Sequence, residues 1–141
     1  MFRPIFALLA LTATLSAATR VFQTFEGDGF GGWQAEGDAF GMAPSAGKTA
    51  QMGKALSGYS NHSLASSGHG GEAAKGTLTS PEFEIREPYV TFLIAVGDFK
   101  GKIAAQLLVD GKVVREETGK RSLRCGPGLW DVTEFKGRTA R

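Results

Sequence analysis

Three side chains in this sequence stand where they could meet a ligand: Trp33, Asp38 and His69. Trp33 lies in the glycine-rich stretch FEGDGFGGWQAEGDAFG (25–41), and the faces of sugar rings stack on aromatic faces, so a carbohydrate contact is one role for it. The other role is a core plug at the start of a strand. Trp130 has the same two readings, with Val132 and Phe135 beside it to favour the core. His69 is set in Ser67-Gly68-His69-Gly70-Gly71, where glycines let backbone approach a ligand closely. Its imidazole could hydrogen-bond a sugar hydroxyl or simply shape its own loop. No metal site is expected, because His69 lacks a partner at ligand spacing and His62 stands in an unrelated context.

Asp38, together with Glu26 and Asp28, gives oxygen-rich turns of the kind that can hold a structural Ca²⁺, the only ion the sequence suggests. Their spacing does not match an EF-hand loop, and solvated loop carboxylates are the alternative. The GDGFGG run is not a phosphate loop: it lacks the Lys-Ser/Thr pair and precedes a Trp-containing strand instead of a helix. No motif places two carboxyl groups about 5 to 9.5 Å apart across a cleft, as glycoside hydrolysis requires. No catalytic residue is therefore assigned.

The elements that must position these residues follow from the rest of the chain. Residues 1–18 read as a secretory signal: Arg3, a short apolar run from Pro4 to Leu15, then Ser16-Ala17-Ala18 with cleavage expected after Ala18. The run is short for a bilayer span of about 20 residues, and no second one follows. The expectation is an exported protein, secreted, periplasmic or at the cell surface, with a single module over residues 19–141. With 16 basic against 14 acidic residues the chain is close to neutral, which argues against a nucleic-acid partner. The lone cysteine, Cys125, cannot form an internal disulfide, so a hydrophobic core must supply the stability.

Val21 to Phe25 alternates as a first strand, and Trp33 to Glu36 is a second, with Gly37-Asp38 as a turn and Ala39-Phe40 as the return. Residues 41–75 are long loops with one or two short strands, anchored at Leu56 to Tyr59 and at Ser63 to Leu64. Thr77 to Ser80 is a strand ended by Pro81, and Phe83 and Ile85 share one face. Tyr89 to Val96, YVTFLIAV, is apolar at nearly every position and predicts a strand buried on both faces. Ile103 to Val109 and Lys112 to Thr118 make a hairpin about Asp110-Gly111, a pair suited to a type I′ turn. Trp130 begins a last short strand, and Thr133 to Gly137 is a helical turn or a turn closed by Gly137. Short strands without a long amphipathic helix predict an all-β, antiparallel β-sandwich of jelly-roll, galactose-binding-like type. Because Arg138-Thr139-Ala140 begins to look extended, the final strand is expected to be cut short and the natural chain to continue.

Five stretches carry a resemblance in order: FEGDGFGGWQAEGDAFG (25–41), SGHGGEAAKGTLTSPEF (67–83), EPYVTFLI (87–94), LLVDGKVVREETG (107–119) and WDVTEFKGRTAR (130–141). Together they resemble the N-terminal β-sandwich region ahead of the catalytic domain in some bacterial fructan hydrolases of glycoside hydrolase family 32, the levanase and β-fructosidase group. The Arg124–Gly128 stretch departs from that pattern, and the Asn-Asp-Pro-Asn and Glu-Cys motifs of the catalytic domain are absent. The resemblance implies a non-catalytic accessory module of an exported fructan-degrading glycosidase. Its partners would be a downstream catalytic domain of the same polypeptide and fructan polysaccharide. The alternative is a free-standing extracellular carbohydrate-binding or adhesion module.

Overall fold

A computed structural model describes residues 19–46, 55–98 and 102–141. The expected signal peptide, 1–18, lies outside the described residues. The fold is all-β and antiparallel, as the strand patterning predicts. Its strands are β1 (Gln34–Gly37), β2 (Gly76–Thr79), β3 (Phe83–Glu84), β4 (Tyr89–Ile94), β5 (Ala105–Val109), β6 (Lys112–Glu117), β7 (Gly126–Asp131) and β8 (Thr139–Ala140). One turn of 3-10 helix, Thr133–Phe135, joins β7 to β8, and Gly137 leaves it with φ 82°.

The strands form a four-stranded sheet in the order β3-β8-β5-β6 and two pairs, β4-β7 and β1-β2. The four-stranded sheet and the β4-β7 pair share one core, made of Ile85, Leu107, Val109, Trp130, Val132 and Ala140. Phe92 packs on Trp130 with ring centroids 4.5 Å apart. Two layers closing over one apolar interior give a sandwich-like arrangement. Trp130 is 9% exposed, so its ring serves this core.

The hairpin at Asp110-Gly111 follows its local chemistry. Asp110 has φ 49° and Gly111 φ 75°, the paired positive values of a type I′ turn. Register holds from Val109↔Lys112 and then shifts between Leu107 and Leu108, where β6 carries an extra residue. The β5 strand starts at Ala105, two residues later than Ile103.

Four expectations change. Val21 to Phe25 is not a strand, because its own side chain closes the segment instead: the Gln23 Oε1 accepts the N–H groups of Thr24 and Phe25, and its Nε2 donates to Phe30 O. Ala39-Phe40 is not the return of β1, which pairs with the distant β2 from Gln34↔Thr79 to Gly37↔Gly76. Tyr89 to Val96 is not buried on both faces. In β4, burial alternates: the side of Val90, Phe92 and Ile94 is partly buried, with Val90 and Phe92 packed on the core, and the side of Tyr89, Thr91 and Leu93 is exposed. Tyr89 and Leu93 face outward, 53% and 52% exposed, with Leu129 of β7 exposed beside them. The strand around Trp130 begins earlier, at Gly126, and tolerates Pro127 because neither β4 nor β7 has a second partner strand among the described residues.

Candidate functional site

The β1-β2 pair ends at Gly37↔Gly76, and the long connection between them is closed at its base by Asp38. Asp38 donates its N–H to Lys75 O at 2.9 Å, and its Oδ1 accepts the N–H of Lys75 at 2.8 Å. The carboxylate is thereby committed to backbone. Gly37 is a position only glycine fills easily, since it has φ 77° and a side chain there would strike Lys75 O.

His69 comes to the same corner from the far end of the connection. Its N–H donates to Ala39 O at 2.9 Å, and Ala39 itself is buried. The imidazole lies flat enough on Gly41 that a β-carbon there would stand 2.7 Å from the ring. Gly70 likewise passes close over Asp38 O. The glycines of both loops thus let two stretches of backbone press together and hold an exposed imidazole between them.

That ring forms one wall of an open groove of about 600 Å³, lined by Met42, Ala43, Pro44, Ser45, Ala46 and His69. The groove segment is pinned by an isolated bridge between Ser45 and Leu64, which exchange backbone bonds of 2.8 and 3.0 Å. The groove offers an imidazole, a hydroxyl and apolar Met and Pro surface. Those groups can hydrogen-bond and cover a neutral polar ligand. They contain no pair of carboxylates to cleave one.

Of the three sequence-derived candidates, Asp38 and His69 are brought together and Trp33 is not. Trp33 precedes β1 while Asp38 follows it, so the strand's full length separates them. The Trp33 ring is half-buried and meets Phe22 and Phe25 edge to face, at 5.9 and 5.3 Å between centroids. Phe22 continues the stack onto Phe83, 4.5 Å away. This aromatic group anchors the N-terminal segment to the start of β3.

The acidic turns do not converge on one point. Glu26 spends Oε1 on the N–H of Ser63 at 2.8 Å and meets His62 Nδ1 with Oε2 at 3.3 Å. The backbone hydrogen bond from Ser63 holds its carboxyl below the usual carboxylate range. Among the described residues, no three His, Cys, Asp or Glu side chains gather as a metal site. Sequence reasoning missed the groove segment Met42–Ala46, which has no chemical signature of its own, and the outward Tyr89, whose strand is apolar at nearly every position.

No family model matches the chain, and no solved structure matches it. It is 32% identical over 123 residues to ecdE of Aspergillus rugulosus, a protein provisionally named a glycosyl hydrolase. The match takes in 85% of this chain, and the chain spans about 17% of that relative's length. The similarity ties the chain to a glycosidase-related sequence.

Proposed function

We propose that this chain is a non-catalytic accessory module of an exported glycosidase, one that packs against a catalytic domain of the same polypeptide and binds its polysaccharide, a fructan. The observation that carries the reading is the similarity over 123 residues to a protein named a glycosyl hydrolase, of which those residues are a small part. The family 32 resemblance of the five ordered stretches supplies the fructan. Asp38 and Glu26 each have one carboxylate oxygen bonded to a backbone N–H, which gives both a structural task in their turns. The groove walled by His69 is the surface on which the sugar would lie.

Native electrophoresis through gels containing levan or inulin tests the reading. The expected result is retardation by at least one of the two, abolished in His69→Ala, with no reducing sugar released by the chain alone. Unchanged mobility in both gels would remove the binding role, and release of reducing sugar would remove the non-catalytic one.

A further inference from the structure

The outward face of the β4-β7 pair carries three large apolar side chains that the core does not use. Tyr89, Leu93 and Leu129 are 53%, 52% and 62% exposed. The register sets Tyr89 opposite Asp131, Thr91 opposite Leu129 and Leu93 opposite Pro127, and all six residues are exposed. Residues directly opposite in an antiparallel pair lie on one face. From Tyr89 to Leu93 that face runs for about 13 Å. Exposed apolar residues scattered singly are ordinary, whereas adjacent ones mark a contact surface.

The inward side of the same strands holds the face still. Phe92 packs on Trp130 with centroids 4.5 Å apart, and a side chain on Gly128 would strike the Phe92 ring. At the Tyr89 end, Asp131 is fixed through two of its groups. Its Oδ1 accepts the N–H of Thr133 at 3.0 Å, and its carbonyl accepts two N–H groups of Arg115 at 3.2 and 2.9 Å.

Size and polarity choose the occupant. Three half-exposed apolar side chains fall well short of the about 800 Å² that each partner buries in a stable protein complex. A sugar ring is smaller, with an apolar C–H face and hydroxyls at its rim. Tyr89 and Leu129 suit the C–H face, while the Thr91 hydroxyl and the Asp131 carboxylate suit the rim. That carboxylate repels acidic sugars and accepts from neutral ones.

We propose that the outward β4-β7 face is a carbohydrate platform, on which a neutral polysaccharide lies with one ring stacked on Tyr89. The inference rests on the polysaccharide-binding reading above and adds a second contact to the groove at His69. A platform with a single aromatic ring is weak by itself, so it strengthens the hold of the groove on a polymer, and retardation still depends on His69.

The test compares Tyr89→Thr, Tyr89→Phe and Val113→Ala with the unaltered chain by native electrophoresis through graded levan and inulin. Threonine removes the ring but keeps a residue suited to a strand. Val113 is 50% exposed, yet it stands on β6 and serves as the control. Tyr89→Thr is expected to weaken association roughly tenfold, and the other two by less than about threefold, with similar thermal midpoints throughout. Equal retardation of Tyr89→Thr and the unaltered chain would overturn the platform and leave binding at the groove intact. An unaltered chain that neither gel retards would remove the binding reading itself, and the platform with it. Weaker retardation of Tyr89→Thr together with a halved mass in light scattering would also overturn the platform, because the face would then join two copies.

Discussion

The carbonyl of Val96 occupies the space that a side chain on Gly119 would fill. Val96 has φ 61°, a left-handed value uncommon for a β-branched residue, and its N–H donates to Ser122 O at 2.9 Å. Gly119 is buried and follows β6. The pair lets the exit of β4 fold tightly against the segment leaving β6, which joins the two layers of the sandwich at one point.

Gly119→Ala should therefore lower unfolding stability by roughly 3 kcal/mol, since the obstacle is backbone and cannot rotate away. Gly111→Ala is the comparison: a side chain there meets no neighbouring atom, so only its φ of 75° opposes alanine, at a cost of about 1 kcal/mol. Urea unfolding of both variants checks the order, and equal midpoints would contradict it.

Glu26 ties the N-terminal segment to His62 and Ser63. Its carboxyl is held low chiefly by the Ser63 N–H, so its folded value lies below its unfolded one. The stability it contributes is present above the unfolded carboxylate range and is lost as pH falls through the lowered folded value. Glu26→Gln should flatten the fall in thermal midpoint between about pH 6 and about pH 3. Asp131, lowered by its hydrogen bonds with Thr133, keeps a residual slope of the same sign in that variant. An unchanged slope would show that the Ser63 contact contributes nothing.

Burial pushes the Cys125 thiol up. Its backbone is also fixed, with the N–H donating to Ser57 O at 2.7 Å. Because the thiolate is the reactive form, alkylation near pH 8 should be roughly tenfold slower in the folded chain than in urea. Equal rates in the two conditions would contradict this placement.

Arg115 gathers the end of β7 to the helical turn. Its Nε and Nη2 donate to Asp131 O at 3.2 and 2.9 Å, Nη2 also meets Glu134 at 2.5 Å, and the guanidinium lies over Phe135 at 5.1 Å. A lysine can neither fork onto one carbonyl nor lie flat on the ring, so Arg115→Lys should cost about 1 kcal/mol in a thermal or urea melt. No loss would mean that charge alone suffices there.

Features with local causes could be read from the sequence. Asp110-Gly111 dictates its own turn, and Gly137 closes the turn after Phe135 as its position suggests. Tyr89 to Ile94 was harder, because apolar residues at nearly every position leave the buried face to be chosen by neighbours, here the core beneath Phe92. Val21 to Phe25 alternates like a strand, yet Gln23 captures its N–H groups before any partner can. At the candidate site, Asp38 and His69 were each visible as residue types. Their meeting depends on bonds across a long connection, to Lys75 and Ala39, and no spacing rule reveals it.

The size of the natural gene product tests the accessory-module account most directly. An antibody raised against this 14.9 kDa chain, used on denatured culture fluid and envelope fractions of the source organism, reads that size. The account predicts a band several times larger that co-purifies with fructan-hydrolysing activity. A single band at or below 14.9 kDa, separable from that activity, would contradict it and leave a free-standing binding module.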